Sequence, residues 1–208
     1  MHIDRYRSYS ELAQHEVEGI DFRRAVFRRA FSAVAVIAPH GGKIESRTSE
    51  IARAIAGEDF NLYLFEGIKK RGNYAALHVT SRRFDEPSCL ELLSTCSFVI
   101  AIHGCVGRDE RVLLGGLDHS LKDKVTAEIR EIGIDVQNDG HHFLATDLSN
   151  ICNRGQSCKG VQLELTKALR RSANAQRVAE AVRAALLPLQ DTHKLSSVSN
   201  YFRNGGRM

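Results

Sequence analysis

The sequence predicts an α/β fold: one domain built on a single open, mainly parallel or mixed sheet flanked by helices. Three observations predict it. Apolar runs of strand length alternate with amphipathic runs of helix length along the chain. The strand-like runs are almost continuously apolar, as in sheets covered on both faces. The 208 residues include only three prolines, with no repeat or low-complexity block to mark an internal boundary. Composition agrees, since 43% apolar and 26% charged residues are ordinary globular values. Residues 1–208 are therefore expected to form one domain, with 1–20 and 190–208 peripheral or flexible.

"AVAVIA" (residues 33–38) reads as a fully buried strand. "TSEIARAIAG" follows as a helix with a polar start at Thr48 or Ser49 and a stop at Gly57. "FNLYLFEG" (60–67) is the next strand, "CLELLSTC" a short helix and "SFVIAIHG" (97–104) another buried strand. "SLKDKVTAEIREIG" reads as an amphipathic helix ended by Gly133. "GVQLELT" (160–166) alternates, placing Val161, Leu163 and Leu165 on one face and Gln162 and Glu164 on the other. "NAQRVAEAVRAALLPL" is the last helix, and the polar segment after it is expected to be loosely held.

The net charge of +4 is mild. "FRRAVFRRAF" alternates basic with apolar residues as an amphipathic segment does, and no basic stripe with interleaved aromatics suggests nucleic-acid binding. A mild positive balance also suits an enzyme acting on a polyanion. No run approaches the roughly 18 to 20 apolar residues of a membrane helix, and the first residues lack a secretory core. A cytoplasmic, monomeric protein is the expectation. Five cysteines with no C-x-x-C spacing suggest reduced, structural thiols rather than disulfides or a zinc clip.

Ligands of such sheets bind beyond the carboxyl ends of the strands. His40 and His103 each fall at or just past such an end, so the two share one rim. With Glu45 they supply two imidazoles and a carboxylate, the composition of a catalytic zinc site. The five-residue interval from His40 to Glu45 does not suit one helix face, but it suits a loop turning through Gly41 and Gly42. The same residues also fit a plainer arrangement in which His40 caps a turn, Glu45 faces solvent and His103 sits in the core. Glu164, inward on a covered strand, would need a partner and could serve as a general base. Arg154, in the polar loop "NICNRGQSCKG", could pair with a substrate carboxylate, with Asn153 beside it as a neutral donor. Cys105 reads as a buried thiol, and His78, His141 and His142 as packing, loop or supporting residues.

Four segments in order, "APHGGKIESRTSEIA", "LHVTSRRFDEP", "AIHGCVGRDERVLLGGLD" and "NICNRGQSCKGVQLELT", together resemble the poly-gamma-glutamate hydrolase family, also encoded by bacteriophages. The similarity spans roughly residues 6–186. It departs at Lys43 and Arg47, positions where the family often has smaller or turn-forming residues, and at Leu117 within "GGLD". The resemblance implies a zinc-dependent peptidase related in fold to the zinc carboxypeptidases. It implies one Zn²⁺ held by His40, Glu45 and His103, Glu164 as the general base, and Arg154 near the substrate carboxylates. Arg82, and after it Arg83 and Arg108, are further cations for a groove taking a polyanionic γ-glutamyl substrate. The expected reaction is hydrolysis of γ-glutamyl amide bonds. The alternatives are a metal-dependent amidase or deacylase acting on a small acidic amide, or an inactive descendant that binds polyglutamate. A phage-derived chain could leave the cell by lysis.

Overall fold

The computed structural model describes the backbone of residues 4–204 and the side chains of residues 4–190. In chain order the elements are α1 Tyr9–Leu12, β1 Phe22–Phe27, β2 Val34–Gly42, α2 Thr48–Ala56, β3 Asn61–Gly67, α3 Asn73–Leu77 and α4 Pro87–Leu93. They continue with β4 Phe98–Cys105, β5 Arg111–Gly115, α5 His119–Glu131, β6 Asp135–Gln137, β7 Val161–Thr166, α6 Lys167–Arg171 and α7 Asn174–Asn204. The seven strands form one sheet in the order β1-β3-β2-β4-β7-β5-β6. Pairings β2·β3, β2·β4, β4·β7 and β5·β6 are parallel, whereas β1·β3 and β5·β7 are antiparallel. The expected mainly parallel, mixed α/β sheet is the one observed.

Strand alternation divides the core into two layers. One layer takes Val36 from β2, Leu64 from β3, Ile102 from β4 and Leu163 from β7, covered by apolar residues of α2, α5 and α7. The other takes Ile37, Tyr63, Ala101 and neighbours, covered by the N-terminal segment, α3, α4 and the loops between them. Both faces are buried, which explains the unbroken apolar runs. His103 and Glu164 follow Ala101 and Gln162 in the period-two count, so they point into the second layer. At the carboxyl ends of β2, β4 and β7 the buried polar residues His40, His103 and Glu164 gather.

Several expectations change. Of the first twenty residues, 4–20 are described and are not simply peripheral: Tyr6, Tyr9 and Leu12 are buried in the second layer, because that face has no long helix of its own to cover it. "FRRAVFRRAF" supplies β1, an antiparallel edge strand, rather than a free amphipathic segment. Phe22 points inward while the two arginines find carboxylates: Arg23 pairs across the strands with Glu66, and Arg24 reaches Glu86 at 2.6 Å. Strands β5 and β6 escape sequence reading because five and three residues are too short to show a period. Helix α7 runs past the expected end at residue 189 to Asn204. The loosely held character expected of residues 190–208 falls almost wholly outside the described side chains. Among the described residues, no helix is long and apolar enough to cross a membrane.

Glu86 carries more than one duty. It is fully buried, accepts hydrogen bonds from the Ser88 and Cys89 amides at the start of α4, and holds Arg24 of the edge strand. Glu86→Ala should therefore lower the unfolding free energy by about 1–3 kcal/mol, since it removes a cap and leaves Arg24 with Glu18 as its remaining carboxylate partner. Urea denaturation checks this, and a loss below about 1 kcal/mol would mean that β1 is held by its ladder alone.

Candidate metal centre

The chain turns back on itself directly after His40. The Glu45 amide donates to the His40 carbonyl at 2.9 Å, and the Thr48 hydroxyl donates to the Glu45 carbonyl at 2.8 Å. Gly41 and Gly42 make the turn possible. A Cβ on Gly41 would lie 2.2 Å from Ser49 Oγ, and Gly42 has a left-handed φ of 63°. The turn carries Glu45 across to the end of β4, where the Gly104 amide donates to Glu45 Oε2 at 2.8 Å.

Three side chains now converge. His40 Nδ1 lies 3.1 Å from Glu45 Oε1, His103 Nδ1 lies 3.5 Å from Glu45 Oε2, and the two Nδ1 atoms face each other at 3.0 Å. His40 Nε2 lies 2.8 Å from the Val79 carbonyl, which can only accept, so that nitrogen carries a proton. His103 Nε2 lies 3.3 Å from Ser81 Oγ. The outer nitrogens are thus engaged and the inner ones aimed at a common point. Two facing imidazole lone pairs need a cation between them: a proton, or a metal. All three residues are buried, at 2%, 8% and 1% exposure, so solvent does not supply it.

His78 adds a second layer. Its ring packs against that of His40 at a tilt of 36° with centroids 4.1 Å apart, its Nδ1 lies 2.7 Å from the Asp4 carboxylate, and its Nε2 stands 3.8 Å from Glu45 Oε1. His40, Glu45 and His78 also offer ligand atoms close enough for one ion. Glu164, the register partner of His103 on β7, is 5% exposed and accepts from Gln162 Nε2 at 3.1 Å. The Gln162 amide oxygen in turn accepts from Asn150. A cavity of about 450 Å³ opens onto His40, Glu45, His103 and Glu164, with Arg82 and His142 at its edge.

The charges distribute accordingly. Burial opposes ionisation of Glu45, but His40 and His103 outweigh it and hold the carboxyl far below the usual range. Burial disfavours charge on His40, yet the Glu45 carboxylate overcomes this and its pKa is raised. His103 is lowered, chiefly by burial. Burial and the neighbouring Glu45 charge push Glu164 well above the carboxylate range. His78 is lowered to about 4 by burial and the His40 charge. The shifts of His40 and Glu164 thus both favour the protonated form.

The other sequence-derived candidates separate cleanly. Asn153 is 1% exposed, and its side chain is spent on the backbone. Its oxygen accepts from the Leu117 and Gly160 amides, and its nitrogen donates to the Ala145 and Asp147 carbonyls. It is a pin for the loop before β7, with no donor left for a substrate. Arg154 is exposed and lines neither this cavity nor the one beside it. Arg82 lines the cavity that opens onto His40, Glu45 and His103. Cys105 is a buried thiol, raised to about 11 by burial. Among the described residues the five cysteines are all unpaired.

Sequence reasoning missed Arg170. It is 7% exposed and its guanidinium donates to the carbonyls of Leu165, Ser46 and Cys105. These are the neighbours of Glu164, Glu45 and His103 along their own segments. One side chain thus ties together the three segments that bear the site. Only the basic run "KALRR" directly after the Glu164 strand could have hinted at it.

The sequence model of the poly-gamma-glutamate hydrolase family matches residues 6–184. The chain belongs to that family. It is 33% identical over 171 residues to the YndL protein of Bacillus subtilis, covering 81% of this chain and 66% of that one. The structure of a bacteriophage poly-gamma-glutamate hydrolase superposes with a TM-score of 0.86 at 31% identity, covering 91% of this chain and 100% of that one. A zinc-free structure of YndL superposes with a TM-score of 0.81 at 28% identity, covering 88% of this chain and 98% of that one. The chain thus spans just under two thirds of the full length of its curated YndL relative.

Two outcomes follow from this geometry. Metal uptake must displace the His40 proton, because a protonated imidazole cannot ligate. Affinity for a divalent metal ion should rise with pH up to the raised His40 pKa and flatten above it, with about one proton released per ion on the rising side. Chelator competition across that range measures it, and a flat profile would exclude His40 as a ligand. Asn153→Ala should cost about 2–4 kcal/mol of stability by orphaning buried backbone groups. An unchanged urea midpoint would return Asn153 to the list of substrate donors.

Proposed function

We propose that this chain is a zinc-dependent hydrolase of γ-glutamyl amide bonds in poly-gamma-glutamate. The observation that carries the reading is the convergence of His40 Nδ1, His103 Nδ1 and the Glu45 carboxylate beside buried Glu164, in a chain of this family. His103 is preferred to His78 as the third ligand. Its Nδ1 faces both other donors at 3.0 and 3.5 Å, whereas His78 approaches Glu45 only at 3.8 Å and its other nitrogen is held by Asp4. Two imidazoles and a carboxylate leave a fourth position open, as catalytic zinc sites do. One Zn²⁺ there would polarise a scissile carbonyl and acidify water.

The chain's own residues do the rest. Glu164 is held neutral by burial and by the Glu45 charge, and it becomes a carboxylate once that charge is balanced. Gln162 fixes one of its oxygens, leaving the other to take a proton from the attacking water. Glu164 then returns that proton to the leaving amide nitrogen, closing the proton balance of hydrolysis. The His40 ring is oriented by the Val79 carbonyl and the His103 ring by Ser81, which keeps both inner nitrogens on target.

Metal content and polymer length measured on one sample test this reading. Glu164→Gln should keep one zinc per chain and shorten the polymer about 10²–10⁴-fold more slowly. His103→Ala should lose the metal. Near-normal turnover by Glu164→Gln would remove the base assignment, and zinc-loaded wild type that shortens no polymer would redirect the search to small acidic amides.

A further inference from the structure

The metal-centre cavity has a neighbour. A second cavity, of about 600 Å³, shares Glu45, Tyr74, Gly104, Cys105 and Val106 with the first. Beyond these it is lined by Ile44, Ser46 and four cations, Arg47, Lys167, Arg170 and Arg171, and Glu45 is its sole lining carboxylate. Arg47, Lys167 and Arg171 are exposed. Several arginines elsewhere are matched, as Arg23 is to Glu66, Arg24 to Glu86 and Arg183 to Asp59. Among the described residues none of the four cations around this cavity makes an ion pair.

Four like charges on one concave wall repel each other and focus a positive potential, which an anion relieves. The division of labour among them is visible. Arg170 has its donors committed to three backbone carbonyls, so it contributes charge and shape. Arg47, Lys167 and Arg171 keep their donors for a ligand. The floor also offers apolar surface from Ile44, Tyr74 and Val106. Carboxylates carried on short methylene chains suit such a wall, since the head meets cations and the stem meets carbon.

We propose that this second cavity is the carboxylate subsite of the enzyme. It holds the α-carboxylates of glutamyl residues adjoining the scissile bond, with Arg47, Lys167 and Arg171 as its donors. The inference rests on the reading above, because only a chain passing the Glu45 wall links the two cavities. It places substrate recognition on α6 and the β2–α2 turn, rather than at Arg154.

Equilibrium binding of a defined γ-glutamyl oligomer to zinc-loaded protein carrying Glu164→Gln tests it. Adding Lys167→Ala with Arg171→Ala should weaken binding about fivefold to twentyfold and flatten its salt dependence. The charge-keeping pair Lys167→Arg with Arg171→Lys should bind within about twofold of the parent. Lys122→Ala with Lys124→Ala removes the same charge from α5, outside both cavities, and should change affinity less than about twofold. Equal weakening by the two alanine pairs would overturn the subsite, leaving only overall charge. Unchanged binding in the first pair, with wild type still shortening the polymer, would overturn the subsite and leave the activity standing. A wild type that neither binds nor shortens the polymer would remove both.

Discussion

A single buried carboxylate sets the terms for the carboxyl rim of this sheet. Glu45 is enclosed by protein, and an enclosed negative charge is tolerated only where donors and cations surround it. The Gly104 amide, His40 and His103 are that surround. The glycine turn exists to deliver the carboxylate, the two histidines exist on strand ends that meet it, and Glu164 stays neutral in its field. Without a cation between the two inner nitrogens the arrangement is electrostatically incomplete. A proton completes it in one state, and a dication would complete it in another.

The mechanical counterpart is Arg170. Parallel strands meet through their ladders, and the β2·β4 ladder stops at Ile37 and Ala101, short of His40 and His103. Arg170 continues the cross-linking beyond that limit, taking one carbonyl from each segment that carries Glu45, His103 and Glu164. Gly104 has no side chain because the guanidinium fills that place: a Cβ there would lie 2.4 Å from Arg170 Cζ. Rigid placement of these side chains therefore comes from a residue outside the cavity that they line.

Much of this was legible in the sequence, for physical reasons that also mark the limits. Strands β2, β3, β4 and β7 are visible because both faces of the sheet are covered, which demands apolar side chains at every step. The edge strand β1 is hidden because Arg23 and Arg24 are neutralised by Glu66 and Glu86, partners that only tertiary structure supplies. His40 and Glu45 announce themselves through a local glycine turn, and Glu164 through strand parity. His78 and Arg170 do not, since their partners Asp4 and Ser46 lie 74 and 124 residues away. Asn153 shows the converse error: an amide in a polar loop suggests a ligand donor, yet the loop consumes all of it.

The docking of Asp4 has a thermodynamic corollary. Its carboxylate accepts from the Thr80 amide and holds His78, whose ring packs against His40 at a tilt of 36°. The chain's first described residue is thus packed onto the back of the metal centre. Free energies of linked equilibria are reciprocal, so whatever fills the centre also tightens the N-terminal segment, and whatever releases that segment weakens the hold on the filler. A distant stretch of backbone becomes, in effect, a second dial on metal affinity.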